Sequence, residues 1–394
     1  MCDCHAESDP SGQTSRRDLL RATGILGVAG LITAGGLARP TAAKAGPAFG
    51  SAGASGSTGS AGGAAPGWVG TSLVLLGTSG GPLPLIGRCM TSQAVVVDGA
   101  AYLVDCGSGV VNQMYRAGLT HHMLRSLFIT HFHADHVSDY LPLMLFGRPI
   151  GGFGYGYDAP MNIYGPASFG LPPGTPPAGV QMVNPGNPHP GMVDVHHGAL
   201  AGFATTVNGQ YIKSAMGPDV RDFLVPHDIP VPADPVGTAP PRMSPFTVME
   251  DERVRVTATL ASHYWPFPAY AFRFDTDHGS ITFSGDTSPS DNVIELARGT
   301  DLLVHEIMDG QGMLDHGVPE GMVRGLRSVH TDISEIGAIA SAAGARTLVL
   351  SHIVPLDLTS PTPPPIPVAQ WRTRISRDYG GNVVVGEDLA VLSI

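Results

Sequence analysis

The sequence predicts a single α/β domain built in layers, and three observations carry that prediction. Apolar runs of strand length alternate with segments of helical spacing from residue 71 onward. One run, Leu127-Phe128-Ile129, leads directly into Thr130-His131-Phe132-His133-Ala134-Asp135-His136, which sets three histidines and a carboxylate within six consecutive residues. Four later apolar runs each stop on a residue able to ligate a metal: 256–260 before His263, 281–283 before Asp286, 302–304 before His305 and Glu306, and 348–350 before His352. Strand ends at one edge of a sheet converge in space, so these residues can reach the first cluster. Imidazole nitrogen with carboxylate oxygen is a donor set for Zn²⁺, and manganese or iron accepts it as well.

Residues 1–45 read as an export signal. Ser15-Arg16-Arg17-Asp18-Leu19-Leu20 is a twin-arginine pattern, followed by a Gly/Ala-rich apolar run over 22–38 and a small-residue site at Ala43-Lys44-Ala45. A bilayer span needs about 20 strongly apolar residues, and this run is shorter and glycine-rich. No stable membrane anchor is therefore expected, and the mature protein is expected in the periplasm or outside the cell. Residues 46–67, rich in Gly, Ser and Ala, read as a flexible linker.

The catalytic domain would occupy 68–394. It opens with a strand at 71–76, a hairpin pairing 93–97 with 101–104 about the reversal signal Asp98-Gly99, and a helix at 110–117. The strand 126–129 delivers the histidine cluster, and a helix at 139–146 leads away from it. A long Pro/Gly-rich insertion, 147–250, then breaks the rhythm, with one credible strand at 161–164 and proline-dense stretches at 171–177 and 225–245. Such an insertion is expected to roof a functional site. Beyond it come strands at 254–260, 270–275 and 280–283, a helix at 290–297, a strand at 301–304, a helix at 332–343 and a strand at 347–350.

Composition narrows the function classes. With 43% hydrophobic and 14% charged residues the chain can bury a sizeable core. Its formal charge of −11 and its two lysines, Lys44 and Lys213, supply no basic stripe to track a polyanion, so nucleic acid is not expected as a partner. Cys2 and Cys4 precede the signal; Cys89 and Cys106 flank the hairpin and leave a disulfide open in an oxidising compartment.

The HxHxDH run, Gly285-Asp286-Thr287 after a strand, and Leu350-Ser351-His352 near the end together resemble the metallo-β-lactamase superfamily, in the group that contains ribonuclease Z and a bacterial arylsulfatase branch. The resemblance runs from Thr71 to Ile394 apart from the insertion. It implies a four-layered αββα sandwich with a dinuclear zinc centre at one edge of the sheets. It also implies a ligand set: His131, His133 and His263 on one zinc, Asp135, His136 and His352 on the other, and Asp286 bridging both. Such a centre would hold a hydroxide between the metals, with Asp135 orienting it. The bridging carboxylate sets the chain apart from true β-lactamases. His330-Thr331-Asp332 resembles the family's second histidine motif, which implies His330 as general acid or oxyanion donor. His305-Glu306 resembles the start of the HEAT motif of ribonuclease Z, which implies Glu306 as its orienter, though Ile307-Met308 replaces Ala-Thr. Relatives of this kind often pair as homodimers.

The expected activity is hydrolysis of a small-molecule anionic ester, with an aryl sulfate first and a small phosphodiester next. A lactone or carboxylic ester, a ribonuclease Z-like nuclease and a non-catalytic metal-binding protein complete the alternatives. Tyr264, Trp265 and Phe267 form either an apolar wall for an aromatic leaving group or part of the core. Arg88 and the insertion's His196, His197 and His227 are either substrate contacts or bystanders.

Overall fold

The computed structural model describes residues 67–148, 156–170, 179–213, 219–231, 240–264 and 267–394. The stretch read as an export signal, nearly all of the one read as a linker, and Trp265 lie outside them. The described residues build two seven-stranded sheets. The first takes β1 (Thr71–Gly77), β2 (Ser92–Val97), β3 (Ala100–Val104), β4 (Leu124–Phe128), β5 (Met161–Pro166) and β6 (Leu224–Ile229) in that order, with β14 (Val391–Ser393) outside β1. The second runs β13 (Asn382–Val385), β12 (Thr347–Ile353), β11 (Leu302–Ile307), β10 (Gly279–Phe283), β9 (Tyr270–Thr276), β8 (Val254–Leu260) and β7 (Phe246–Glu250). Each sheet joins an antiparallel set to a parallel one, β3 to β6 in the first and β10 to β13 in the second.

The layering follows from side-chain alternation along strands that are apolar on both faces. In β1, Leu73 and Leu75 join the core between the sheets, while Val74 and Leu76 point to the outer face. The inner core is aromatic: Phe128 meets Phe272 and Phe274 at 5.4 and 5.2 Å, and Phe274 meets Phe283 at 5.6 Å. Burying each such ring contributes about 1.5–3 kcal/mol. On the outer face of the first sheet lie α1 (Val110–Arg116), α2 (Ala134–Val137), α3 (Tyr140–Phe146) and α4 (Met192–Gly202). On that of the second, α9 (Ile336–Ala343) and α10 (Val368–Ile375) cover Leu303, Leu348 and Leu350. The result is the expected αββα sandwich. The hairpin turns where predicted, with Asp98 and Gly99 at φ 47° and 83°, the left-handed pair a two-residue turn demands.

Three expectations need correction. The insertion is more regular than its proline content suggested: besides β5 it holds β6, β7, α4 and α5 (Ala204–Lys213). Pro226 sits in β6, the edge strand of the first sheet among the described residues, where a strand tolerates a missing donor. The last predicted helix starts at Ile336 rather than 332, because Asp332 is occupied in a turn, accepting from Ser334 N, Ser334 Oγ and Gly310 N. Helices α6 (Asp291–Leu296), α7 (Gly310–Asp315) and α8 (Glu320–Arg327) complete the order, and only α6 was predicted. Cys89 and Cys106 are both free thiols.

Two buried histidines give the fold an acid sensitivity. His121 Nε2 donates to Leu143 O at 3.0 Å, so its Nδ1 accepts from the Tyr115 hydroxyl at 2.8 Å. Burial pushes its pKa down to about 4, and likewise that of His196, whose Nδ1 lies 2.8 Å from Tyr140 Oη. Both folded values lie below the ordinary 6.5. The stabilisation is thus whole above that value and is lost as pH falls through about 4, at a cost on the order of 3 kcal/mol per site. Urea midpoints at pH 7 and pH 4.5 are expected to differ less in His121→Gln than in the parent chain.

Candidate metal centre

The site is assembled from strand ends. β4 runs through Ile129 and Thr130 to His131, and His133 then caps α2, so Asp135 and His136 project from its first turn. His263 follows β8, Asp286 follows β10 after Gly285 at φ 57°, and His352 lies within β12 at φ 42°. A histidine in the left-handed region is uncommon, and such strain concentrates at functional positions.

The donor atoms fall into two groups. His133 Nδ1 lies 3.0 Å from His131 Nε2 and 3.3 Å from His263 Nε2, with Asp286 Oδ2 3.8 Å from His131 Nε2. Asp135 Oδ2 lies 3.2 Å from His352 Nε2 and 3.6 Å from His136 Nε2. Asp286 Oδ1 closes the second group, 3.1 Å from His352 Nε2 and 3.3 Å from His136 Nε2. A tetrahedron of bonds about 2.0–2.1 Å long has edges of roughly 3.3–3.4 Å, and most of these separations fit it. His136 Nε2 and Asp286 Oδ1 are buried and make no hydrogen bond, an arrangement that costs free energy unless a cation lies between such atoms. The donors therefore fit metal ions. Asp286 offers one oxygen to each group, and its position with His330 and His352 closes a third set within 4.8 Å.

Charges sort the histidines. Burial drives His131 well below its ordinary pKa, reinforced by His136, and it lowers His133 to about 4 and depresses His263. These rings keep free lone pairs. Burial, the largest single influence, would lower His136 and His352, but the surrounding carboxylates together outweigh it and raise both, Asp286 with Asp105 and Asp135 at His136 and Asp286 with Asp135 at His352. Burial alone would raise Asp135 and Asp286, yet His136 and His352 hold both carboxylates below their usual range. The second group is thus a set of charged pairs in which a cation would compete with protons.

Outer contacts fix the rings. His136 Nδ1 donates to Asp105 Oδ2 at 2.8 Å, and Asp105 in turn accepts from Thr130 N and Oγ1. His263 Nδ1 donates to Val329 O at 2.9 Å. Each contact turns Nε2 into the site. Gly81 N donates to Asp135 Oδ2 at 2.7 Å. A Cβ at Gly80 would come within 2.6 Å of the His352 ring, and one at Gly81 within 2.6 Å of the Asp135 carboxyl carbon, so only glycine lets this loop approach.

His330 is placed beside both groups. Its ring centroid lies 5.4 Å from that of His263 and 5.7 Å from that of His352, and Nδ1 donates to Glu306 Oε1 at 3.1 Å. Burial would lower its pKa, but Glu306 and Asp286 raise it to about 9. Thr287 N and Thr331 N also donate to Glu306 Oε1, which fixes the carboxylate. His131, His133, Asp135, His136, His263, Asp286, His330 and His352 thus converge, with Glu306 behind His330, whereas His305 turns its Nδ1 to Glu306 O at 2.8 Å and joins no donor group.

Asp105, Thr130 and the Gly80-Gly81 pair escaped the sequence reading. Asp105 ends β3 as the ligands end their own strands, and that shared placement was the available signal. Several other candidates lie elsewhere: Arg88 donates to Thr78 Oγ1 and Gly386 O, His227 pairs with Asn162 Oδ1, and Phe267 is buried in the core against Phe169. Tyr264 packs against the same core, His196 is buried on Tyr140, and His197 is exposed.

Comparison with known proteins agrees with this geometry. Residues 196–353 match the Beta-lactamase superfamily domain and residues 72–144 match the family of Anti-Pycsar protein Apyc1. Ribonuclease Z of Mycobacterium bovis (strain BCG / Pasteur 1173P2) is 28% identical over 317 residues, covering 80% of this chain and 96% of the relative. Ribonuclease Z of Mycobacterium sp. (strain KMS) is 29% identical over 322 residues, covering 80% and 94%. Two solved structures share the fold. The metallo-beta-lactamase fold protein YhfI from Bacillus subtilis has a TM-score of 0.53 at 18% identity, and human tRNase Z, short form, has 0.50 at 20%; each aligns with 82% of this chain and 99% of its own. The exclusion of nucleic acid drawn from composition finds no support in relatives that bear the name ribonuclease Z. Composition reports bulk charge, whereas the ester a site accepts is set by a few groups around it. Fold, paired donor groups and matches agree: the chain has the metallo-β-lactamase fold, carries the match to the Beta-lactamase superfamily domain over residues 196–353, and is similar to ribonuclease Z, which supports a metal-dependent hydrolase.

Proposed function

We propose that the protein is an exported two-metal phosphodiesterase acting on a small diester. The observation that carries this reading is Asp286, which presents Oδ2 to the His131–His133–His263 group and Oδ1 to the Asp135–His136–His352 group. Divalent cations bound there, zinc first and manganese or iron as alternatives, would acidify water and offset charge on a tetrahedral ester. The chain's own residues do the rest. Asp135, held by Gly81 N, keeps an acceptor oxygen at the second group to orient a nucleophile's proton. His330, with Nδ1 engaged by Glu306, offers Nε2 to the departing oxygen. Export rests on the twin-arginine pattern at Ser15-Arg16-Arg17, and cell fractionation tests it: recovery of the mature chain in the cytoplasm would remove that part of the proposal.

A phosphodiester now stands ahead of the aryl sulfate because relatives named ribonuclease Z match across 80% of the chain. The test is a panel assay on protein loaded with two equivalents of zinc, using bis(4-nitrophenyl) phosphate, 4-nitrophenyl sulfate, a lactone and a precursor tRNA. The expected result is highest kcat/KM on the phosphate diester, lost with a chelator and restored by zinc. Preference for the sulfate, the lactone or the tRNA would reassign the substrate, and no turnover of any would leave a binding protein.

A further inference from the structure

The insertion meets the metal centre across a cavity of about 420 Å³. On one side stand Phe132, His133 and Val137 of the metal loop and α2; on the other stand Pro188, His189, Pro190 and Val195. His133 belongs to both places, since its Nδ1 faces His131 and His263 while its ring lines the cavity. The cavity therefore borders the first donor group, with the His133 ring shared by both. Its volume lies within the roughly 300–1,000 Å³ of small-molecule sites and well above the ~150 Å³ that holds one benzene ring.

The lining chemistry is selective. Among the described residues seven line it, five of them apolar and none Lys or Arg. Burial lowers the pKa of His189, which favours an uncharged ring there. An anion would lose hydration without gaining a counter-charge in such a space, whereas an aromatic group would bury its faces against Phe132 and the two proline rings. The far wall is braced: Ser168 Oγ donates to His189 O at 2.8 Å, Val193 N donates to Asp228 Oδ1 at 3.0 Å, and His196 is fixed on Tyr140.

We infer that this cavity is the specificity subsite for an uncharged aryl group carried by the ester substrate, a refinement that rests on the hydrolase reading above. Its product would be a phenol-like alcohol rather than a nucleotide chain, whose next phosphate would have to enter a space that no described Lys or Arg lines.

The experiment compares two non-hydrolysable anions, phenylphosphonate and methylphosphonate, by calorimetric titration of the zinc-loaded full-length enzyme. The parent protein is expected to bind phenylphosphonate at least about tenfold more tightly. Val195→Trp fills the cavity and is expected to abolish that preference while leaving the methylphosphonate Kd within about twofold, which also reports an intact fold and metal centre. Pro188→Trp, from another point of the same wall, is expected to do the same. Equal affinities in the parent, or an undiminished preference in either filled variant, would overturn the subsite and leave the hydrolase reading standing. A parent protein that binds neither phosphonate would overturn both.

Discussion

Asp286→Ala is expected to lower kcat/KM on the best phosphodiester by about 10⁴-fold or more, equivalent to roughly 5.5 kcal/mol of transition-state stabilisation. The expectation follows from its two oxygens. Oδ1 stands 3.1 and 3.3 Å from the Nε2 atoms of His352 and His136, and Oδ2 stands 3.8 Å from His131 Nε2. No other described carboxylate serves both donor groups, since Asp135 belongs to the second alone. Without Asp286 each group keeps three protein ligands but loses the link that fixes their separation. The fold itself should survive, because His136 retains Asp105 at 2.8 Å and His352 retains Asp135 at 3.2 Å. Kinetics, metal analysis and circular dichroism on one preparation separate these effects: activity and metal content should fall while the spectrum stays native. A variant that retained most of its activity would show that Asp286 is a bystander.

His330→Ala is expected to act according to the leaving group. A positioned proton donor contributes about 10²–10⁴-fold, and only where the departing oxygen needs a proton. For an alkyl or unsubstituted phenyl diester the loss should be on the order of 10³-fold, whereas for a 4-nitrophenyl diester it should stay below about tenfold. Glu306→Gln should give a milder version of the same pattern, about tenfold on the poor leaving group. Its amide oxygen can still accept from Thr287 N and Thr331 N, but a neutral group holds the imidazole less firmly than a carboxylate does at 3.1 Å. Equal losses on both esters would instead assign His330 to metal binding, as its grouping with Asp286 and His352 also permits.

The centre was legible in the sequence because each candidate ligand stands at or just beyond the end of an apolar run, and a strand that crosses a buried sheet exposes its last side chain at one edge. Five separated segments share that placement, which links residues as distant as His131 and His352. Asp105 shares it too and was overlooked, because a single carboxylate after a hairpin looks like a turn residue until the structure shows it bonded to His136 and Thr130. The insertion was misjudged for another reason. Proline argues against a strand only where both neighbours require its donor, and β6 has a neighbour on one side. Its two helices, α4 and α5, carry little contrast between faces, and α4 sets the polar His196, bonded to Tyr140, beside the apolar Met192, Val195 and Ala199 that pack on the outer core. The cavity was invisible for the same reason: Pro188 and Val195 meet Phe132 only through tertiary packing.

Crystallography of the metal-loaded protein with anomalous scattering at the zinc edge tests the central claim most directly. The account predicts two anomalous peaks, one ringed by His131, His133 and His263, the other by Asp135, His136 and His352, with one oxygen of Asp286 on each. A single peak at full activity, or two peaks that Asp286 does not join, would contradict it.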